Sequence, residues 1–281
     1  MGGQSQAEVD QYGIVGHPVG HSRSPFIHGL FAMQTGQHMS YRLYDVSPDD
    51  FVMRVTGFFA GGGRGLNVTV PHKPAAATFA QSLTPRAEQA RAVNTLAAQA
   101  DGSILGDNTD GVGLVRDLTL NLGLVVAGSR VLILGAGGAT RGIVAPLLDL
   151  APDTLMIANR TTDRARVLAA SFADLGPVKG CGFHEIEAHP WDLVVNATAA
   201  SLTGGRPDIT PAIIGANTIC YDLAYGHEPT VFLSWGLAEG AAAAHLGWGM
   251  LVEQAAESFH VWRGVRPETK SVLEVLKSAG R

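Results

Sequence analysis

Five residues, Gly135-Ala136-Gly137-Gly138-Ala139, constrain this chain more than any other stretch. They follow a short apolar run, Arg130 to Leu134, that reads as a buried strand, and they open a helical pattern running from Ala139 to Leu150. Glycine at the first position permits a tight turn, and glycine at the second lets the backbone approach a pyrophosphate. The free N–H groups and the dipole of the helix start then hold the anion. Thr140 stands where the full G-x-G-x-x-G pattern has its third glycine. A Gly-rich turn of purely structural use has the same composition, and the strand–turn–helix context is what favours a dinucleotide site.

The rhythm that follows agrees. Thr154 to Ala158 gives the next strand, Asp163 to Phe172 the next helix, and Leu193 to Asn196 and Thr218 to Tyr221 are further strand-like runs. Such alternation predicts a parallel, doubly wound sheet of the Rossmann type. About 20 residues past the turn, an NAD site carries an acid for the ribose 2′-hydroxyl. This chain reads Asn159-Arg160-Thr161 there, with Arg164 one helical turn on. Two guanidinium groups and no carboxylate suit a 2′-phosphate, which an acid would repel. The expected cofactor is NADP(H), held by Gly135, Ala136, Gly137, Gly138, Ala139, Asn159, Arg160, Thr161 and Arg164. Arginines elsewhere on a surface are usually just solvated; the strand-end position favours the phosphate.

At 281 residues the chain is long enough for two domains of roughly 100–200 residues. In the first half, Tyr12 to Gly16 reads as a strand, and Ser24-Pro25 as a helix N-cap followed by proline at the first helical position. Ile27, Leu30 and Phe31 share a helical face, and Gly36 stops the helix. Tyr41 to Val46 is a second strand, and Pro48 starts a helix carrying Phe51, Val55 and Phe58. Leu66 to Val70 and Val93 to Ala98 are strands, and Asp101-Gly102 turns the chain back through Ile104 and Leu105. From Gly249 the pattern is helical again. The 35 glycines, and a charged fraction of 16% against an average of about 25%, fit buried parallel strands joined by tight turns.

The formal charge of -5 provides no basic stripe for nucleic acid. Cys181 and Cys220 form no Cys-x-x-Cys pair, which excludes a disulfide framework and fits a reducing compartment. The first ten residues lack the apolar core of a signal peptide, and no apolar run reaches the ~20 residues of a membrane helix. A cytoplasmic protein without membrane or nucleic-acid partners is expected. No metal site is expected either, since Pro18 and Gly20 keep His17 and His21 from sharing a helical face.

Polar clusters punctuate the strand ends and helix starts: Ser22-Arg23-Ser24-Pro25, Asn67-Val68-Thr69-Val70-Pro71-His72-Lys73, Ala92-Val93-Asn94-Thr95 and Gly106-Asp107-Asn108-Thr109-Asp110-Gly111. A fifth, Gly249-Met250-Leu251-Val252-Glu253-Gln254-Ala255, comes near the C-terminus. Singly, each has a bland explanation: Ser24 or Asp110 could cap a helix, and Lys73 could be a surface charge. Asn94 within an apolar strand is harder to dismiss, because a buried amide needs partners.

Together with the nucleotide turn, these ordered motifs resemble the shikimate dehydrogenase family from Gly13 to about Trp262. The resemblance implies an N-terminal α/β substrate domain, a Rossmann-type dinucleotide-binding domain and a C-terminal helix returning to the first, here residues 1–110 with 249–281 and residues 111–248. It implies reversible reduction of 3-dehydroshikimate to shikimate in aromatic amino-acid (chorismate) biosynthesis, by a monomer or homodimer. It makes Lys73 and Asp110 the catalytic pair, puts Ser22 and Ser24 on the substrate carboxylate, and puts Thr69, Asn94, Tyr225 and Gln254 on the substrate. Thr198 and Gly247 join the cofactor residues.

The chemistry agrees with these roles. Hydride transfer to a ring ketone leaves an alkoxide that must gain a proton, and an ammonium such as Lys73 can donate it. A polyol ring explains amide and hydroxyl side chains, which donate and accept in fixed geometry. The chain departs from the usual family pattern at Gly29, where asparagine is common, and at Ala199-Ala200-Ser201, which replaces Ser-x-Gly. Two alternatives stay open: a quinate/shikimate dehydrogenase of broader range using NAD, against which Arg160 and Arg164 argue, and a non-catalytic NADP-binding relative. A generic Rossmann interaction module would leave the N-terminal clusters unexplained.

Overall fold

The computed structural model describes residues 9–278. The chain divides into two compact units, Met1–Thr109 with Gln254–Val272, and Asp110–Glu253 with Leu273–Arg281.

The first unit contains β1 (Asp10–Gly16), α1 (Ser24–Thr35), β2 (Met39–Asp45), α2 (Phe51–Ala60), β3 (Gly65–Val68), α3 (Lys73–Phe79), β4 (Ser82–Leu83), α4 (Pro85–Ala90), β5 (Thr95–Ala98) and β6 (Ile104–Asp107). Its sheet runs β2-β1-β3-β5-β6-β4. β1 is parallel to both β2 and β3, whereas β5 is antiparallel to β3 and to β6. Val15, Leu66, Val68 and Leu96 from the sheet pack with Phe51, Val55 and Ala76 into one core. Ser24 is not the cap of α1: Arg23 holds that position without a side-chain cap bond, and the Ser22 and Ser24 hydroxyls pair instead. Gly36 ends α1 in the left-handed conformation, φ 63°, which glycine adopts without strain. α2 starts at Phe51, three residues after Pro48, once the Ser47 carbonyl has accepted from Asp50 N–H in an intervening turn.

The second unit contains α5 (Asp110–Arg116), which continues into a π-helical turn at Asp117–Asn121. It goes on through β7 (Arg130–Leu134), α6 (Gly138–Leu148), β8 (Thr154–Asn159), α7 (Thr162–Ala170), β9 (Val178–Gly182), β10 (Leu193–Asn196), β11 (Ile219–Asp222), α8 (Val231–Ala238) and β12 (Ala243–Leu246). The chain then forms α9 (Trp248–Arg263) and α10 (Lys270–Ser278). All six strands of this sheet are parallel, in the order β12-β11-β10-β7-β8-β9. That is the Rossmann order, with its switch point between β7 and β10.

Alternating residues explain why these strands read as continuous apolar runs. Val131, Ile133, Leu155, Ile157, Leu193 and Val195 join the core that includes Leu114, Ile143, Leu147 and Leu168 of the helices. Their neighbours Leu132, Leu134, Met156, Ala158 and Val194 join the opposite core with Trp191, Ile213, Phe232 and Leu233. Both faces of the sheet are therefore covered, as a parallel sheet requires.

Gln254 to Arg263 of α9 belong to the first unit, where Phe259 packs edge-on to Phe31 and the Trp262 indole donates to the Leu96 carbonyl at 3.0 Å. No helix among the described residues is long and apolar enough to cross a membrane.

Candidate functional site

In the second unit, the ends of β7, β8, β10 and β11 share one edge of the sheet. Gly135 N–H donates to Ala158 O at 2.7 Å, and Ala197 N–H to Leu134 O at 2.8 Å, so the three strand ends are tied side by side. Gly135 has φ +109°, and a Cβ there would meet the Ala197 backbone at 3.1 Å. A Cβ at Gly137 would meet nothing within 4 Å. The first glycine therefore serves the turn, and the second leaves an open face at the N-cap of α6. The Thr140 hydroxyl donates to the Gly135 carbonyl at 2.9 Å, closing the turn without a third glycine. A pyrophosphate fits such a face, since the first N–H groups of the helix have no intrahelical acceptor.

At the end of β8 the Asn159 amide donates to the Thr161 carbonyl at 2.9 Å, while Arg160, Thr161 and Arg164 are exposed. Beyond β10 and β11 lies a buried polar knot that the sequence did not announce. Asn196 Nδ2 donates to Asp222 Oδ2 at 3.1 Å and to Ser201 Oγ at 3.0 Å, and Ser201 donates to Asp222 at 2.6 Å. Thr198 N–H and Oγ1 both donate to Asn196 Oδ1, at 3.1 and 2.7 Å. Ser201, part of the departure from the family pattern, thus helps hold the loop that carries Thr198. Gly247 N–H donates to Ala224 O at 2.9 Å, and Tyr225 stacks obliquely on Trp248 with ring centroids 5.0 Å apart.

In the first unit the topology gathers the other predicted residues on one edge of the sheet. β1 and β3 are parallel, and β5 is antiparallel to β3 and β6. The segments after β1, after β3, before β5 and after β6 therefore share an edge. They carry Ser22 and Ser24; Thr69 and Lys73; Asn94; and Thr109. Lys73 opens α3, and its carbonyl accepts from Val93 N–H at 3.0 Å. Asn94 N–H donates to Asp107 O at 3.0 Å, and the Asn94 carbonyl accepts from Val68 N–H at 2.8 Å. Asn94 Nδ2 lies 3.3 Å from Gln254 Oε1. Asp110, directly after Thr109, is buried and opens α5 in the second unit, which also holds Tyr225.

Sequence reasoning placed Asn67, Thr95 and Thr109 in polar clusters but gave them, and Ser258, no role. Asn67, Thr95, Thr109 and Ser258 are buried and bonded to one another, and the Tyr41 hydroxyl donates to Asn67 Oδ1 at 2.7 Å. Only Ser258 lay outside those clusters, as one polar residue on an otherwise apolar helical face. His28 is fully buried in an aromatic cage, stacked 4.4 Å from Tyr41 and edge-on to Phe31. Burial pushes its pKa down to about 3, with the neighbouring Asn67 opposing the shift.

The six-stranded parallel sheet and its glycine turn define a Rossmann-class dinucleotide unit. Family models extend this to the rest of the chain. The shikimate dehydrogenase substrate binding domain matches residues 14–96, the shikimate / quinate 5-dehydrogenase model residues 119–204, and the shikimate 5'-dehydrogenase C-terminal domain residues 247–277. The chain is 57% identical over 274 residues, 98% of each chain, to a Methylococcus capsulatus protein named shikimate dehydrogenase (NADP(+)).

Among solved structures, an Ael1 enzyme from Pseudomonas putida superposes with TM-score 0.88 at 42% identity, covering 95% of this chain and 98% of that one. Shikimate 5-dehydrogenase from Thermus thermophilus, in complex with NADP(H) and shikimate, superposes with TM-score 0.85 at 29% identity, covering 97% and 100%. The chain belongs to the shikimate dehydrogenase family.

Proposed function

We propose that this chain is an NADP-dependent shikimate dehydrogenase, reversibly reducing 3-dehydroshikimate to shikimate. The observation that carries the reading is the shared edge of the first unit, where Ser22, Ser24, Thr69, Lys73 and Asn94 come from separate segments of the chain. Family membership and the acid-free, doubly basic end of β8 support it. On this reading the first unit takes the substrate and the second the dinucleotide, and the enzyme works in the cytoplasm as a monomer or homodimer.

When bound, the nicotinamide supplies or removes a hydride; the rest falls to the chain. Ser22 and Ser24 hold the ring carboxylate with hydroxyl donors. Thr69, Asn94, Tyr225 and Gln254 bind the ring and its oxygens. Lys73 donates a proton to the oxygen at which negative charge develops, and its ammonium stabilises that charge before transfer. Asp110 supplies the carboxylate of the catalytic pair and accepts from a ring hydroxyl. Gly135, Gly137 and the start of α6 would hold the pyrophosphate, Asn159, Arg160, Thr161 and Arg164 would hold the 2′-phosphate, and Thr198 and Gly247 would complete the cofactor set.

Absorbance of the reduced nicotinamide tests the proposal when shikimate and quinate are each offered with NADP and with NAD. Fastest turnover with shikimate and NADP is expected. Turnover of quinate with NAD at equal or greater efficiency would replace this reading with the broader one.

A further inference from the structure

We infer that Ser258 is a positioning residue that, with Thr95 and Thr109, fixes the amide orientation of Asn94 and Gln254; the inference rests on the proposed substrate role of those two amides. All five residues lie in the first unit, and Ser258, Thr95 and Thr109 are each 0% exposed. An amide side chain has two flips that exchange its oxygen and nitrogen, and in a buried site only neighbours of fixed polarity choose between them.

Two backbone groups supply that polarity. Thr109 N–H, which can only donate, lies 2.9 Å from Asn94 Oδ1. The Asn94 carbonyl, which can only accept, lies 3.2 Å from Asn67 Nδ2. With Asn94 Oδ1 committed, its Nδ2 faces Thr109 Oγ1 at 2.9 Å and Gln254 Oε1 at 3.3 Å. The oxygen of Gln254 is therefore turned toward Asn94.

The hydroxyls tie the set together. Ser258 Oγ donates to the Gln254 carbonyl at 3.0 Å, leaving two lone pairs to accept. Thr95 Oγ1 at 2.8 Å, Asn67 Nδ2 at 3.0 Å and Thr109 Oγ1 at 3.1 Å all lie within bonding reach of them. Thr95 then gives its proton to Asn94 Oδ1 at 2.8 Å. Asn67 Nδ2 also lies 3.2 Å from Thr95 Oγ1, so strand and helix groups share several contacts, and Ser258 is where the strand side and the helix side of the set meet. Without its oxygen, the Thr109 hydroxyl turns to Asn94 Oδ1 or Gln254 Oε1, at 3.2 and 3.5 Å, and competes for the oxygens whose orientation matters. The consequence for function is a defined donor and acceptor pattern, suited to a polyol ring.

The test compares Ser258→Ala and Thr95→Val, which remove a hydroxyl, with Thr95→Ser, which keeps it. Steady-state kinetics should show KM for shikimate raised about three- to tenfold in the first two, as loss of one ordinary hydrogen bond implies. KM for NADP should stay at the wild-type value, and Thr95→Ser should restore the low KM for shikimate. The Thr95 pair decides the question if Ser258→Ala fails to fold. Folded Ser258→Ala or Thr95→Val with wild-type KM for shikimate overturns the inference alone. So does a parallel rise in both KM values, or a Thr95→Ser variant as impaired as Thr95→Val, because either marks a merely structural role. A wild type inactive on shikimate overturns the proposed function and this inference with it.

Discussion

Arg86 grips Asp107 with a two-pronged bond, Nε to Oδ1 at 2.7 Å and Nη2 to Oδ2 at 2.5 Å, while its Nη1 reaches Glu257 Oε1 at 2.8 Å. The Asp107 side chain is 1% exposed. Burial pushes the Asp107 carboxyl up, but Arg86 and Thr84 together hold it below its ordinary value; burial likewise raises Glu257, and Arg86 with Arg266 lowers it. Removing the guanidinium leaves a buried carboxylate without its counter-charge, so Arg86→Met should cost about 3 kcal/mol at pH 7. Both carboxyls are depressed in the folded chain. Their contribution is full above the ordinary carboxylate range near pH ~4 and is lost as pH falls through the lower folded values. Urea unfolding should therefore show the gap between wild type and Arg86→Met closing in acid. A gap of equal size at pH 7 and at low pH would contradict the assignment.

His28 titrates in a higher window. Its pKa is held at about 3 in the folded chain, against an ordinary value of about 6.5. Between these values the unfolded chain binds a proton that the folded chain excludes, so stability is full above pH ~6.5 and falls as the pH drops toward ~3. The slope approaches about 1.4 kcal/mol per pH unit. His28→Phe keeps an aromatic ring in the cage and removes the titrating group. Denaturation profiles from pH 7 to pH 4 should be flatter for that variant by most of this slope. Parallel profiles would show that His28 is not the group responsible.

Two glycines should respond in opposite directions. Gly29 lies inside α1, exposed, where a Cβ would meet nothing within 4 Å. Gly29→Ala should stabilise the chain by about 0.5–1 kcal/mol, the helical penalty of glycine. Gly135 combines positive φ with the Ala197 backbone at 3.1 Å, and Gly135→Ala should destabilise by about 1–3 kcal/mol and raise KM for NADP. Thermal melts of the two variants decide it; shifts of the same sign would be wrong for one of them.

On the proposed reading, cofactor choice rests on Arg160 and Arg164. Both are exposed, so part of each charge-assisted bond is lost to solvent. One surviving contact of about 1.4 kcal/mol still gives tenfold discrimination, and two give about a hundredfold. kcat/KM for NADP should exceed that for NAD by at least about tenfold. Arg160→Ala with Arg164→Ala should erase most of the gap by weakening NADP alone. A double variant that keeps its preference would place the discrimination elsewhere.

Arg130–Leu134 and Leu193–Asn196 were legible to the residue, because strands covered on both faces leave uninterrupted apolar runs. β9 was not, since Val178-Lys179-Gly180-Cys181-Gly182 carries two glycines and a charge. α8 was not read either, because Val231–Ala238 is apolar almost all round and lacks helical contrast. In the first unit's edge, Asn94 stood out as an amide in an apolar strand, while the hydroxyls bonded to it were read only as members of polar clusters or not at all. Ser258 meets Thr109 and Thr95 across 149 and 163 residues, a pairing that topology makes and spacing does not reveal. Ser24 looked like a cap because serine before proline usually is one, whereas here its Oγ accepts from the Ser22 hydroxyl.

The most direct measurement mixes the purified protein with 3-dehydroshikimate and NADPH and follows loss of NADPH alongside formation of shikimate. One NADPH should be consumed per shikimate formed, with NADH at least about tenfold less efficient. Lys73→Ala should bind both ligands but lose about 10²–10⁴ of kcat, the usual effect of removing a positioned proton donor. No shikimate, or a Lys73→Ala variant with near-normal kcat, would contradict the account.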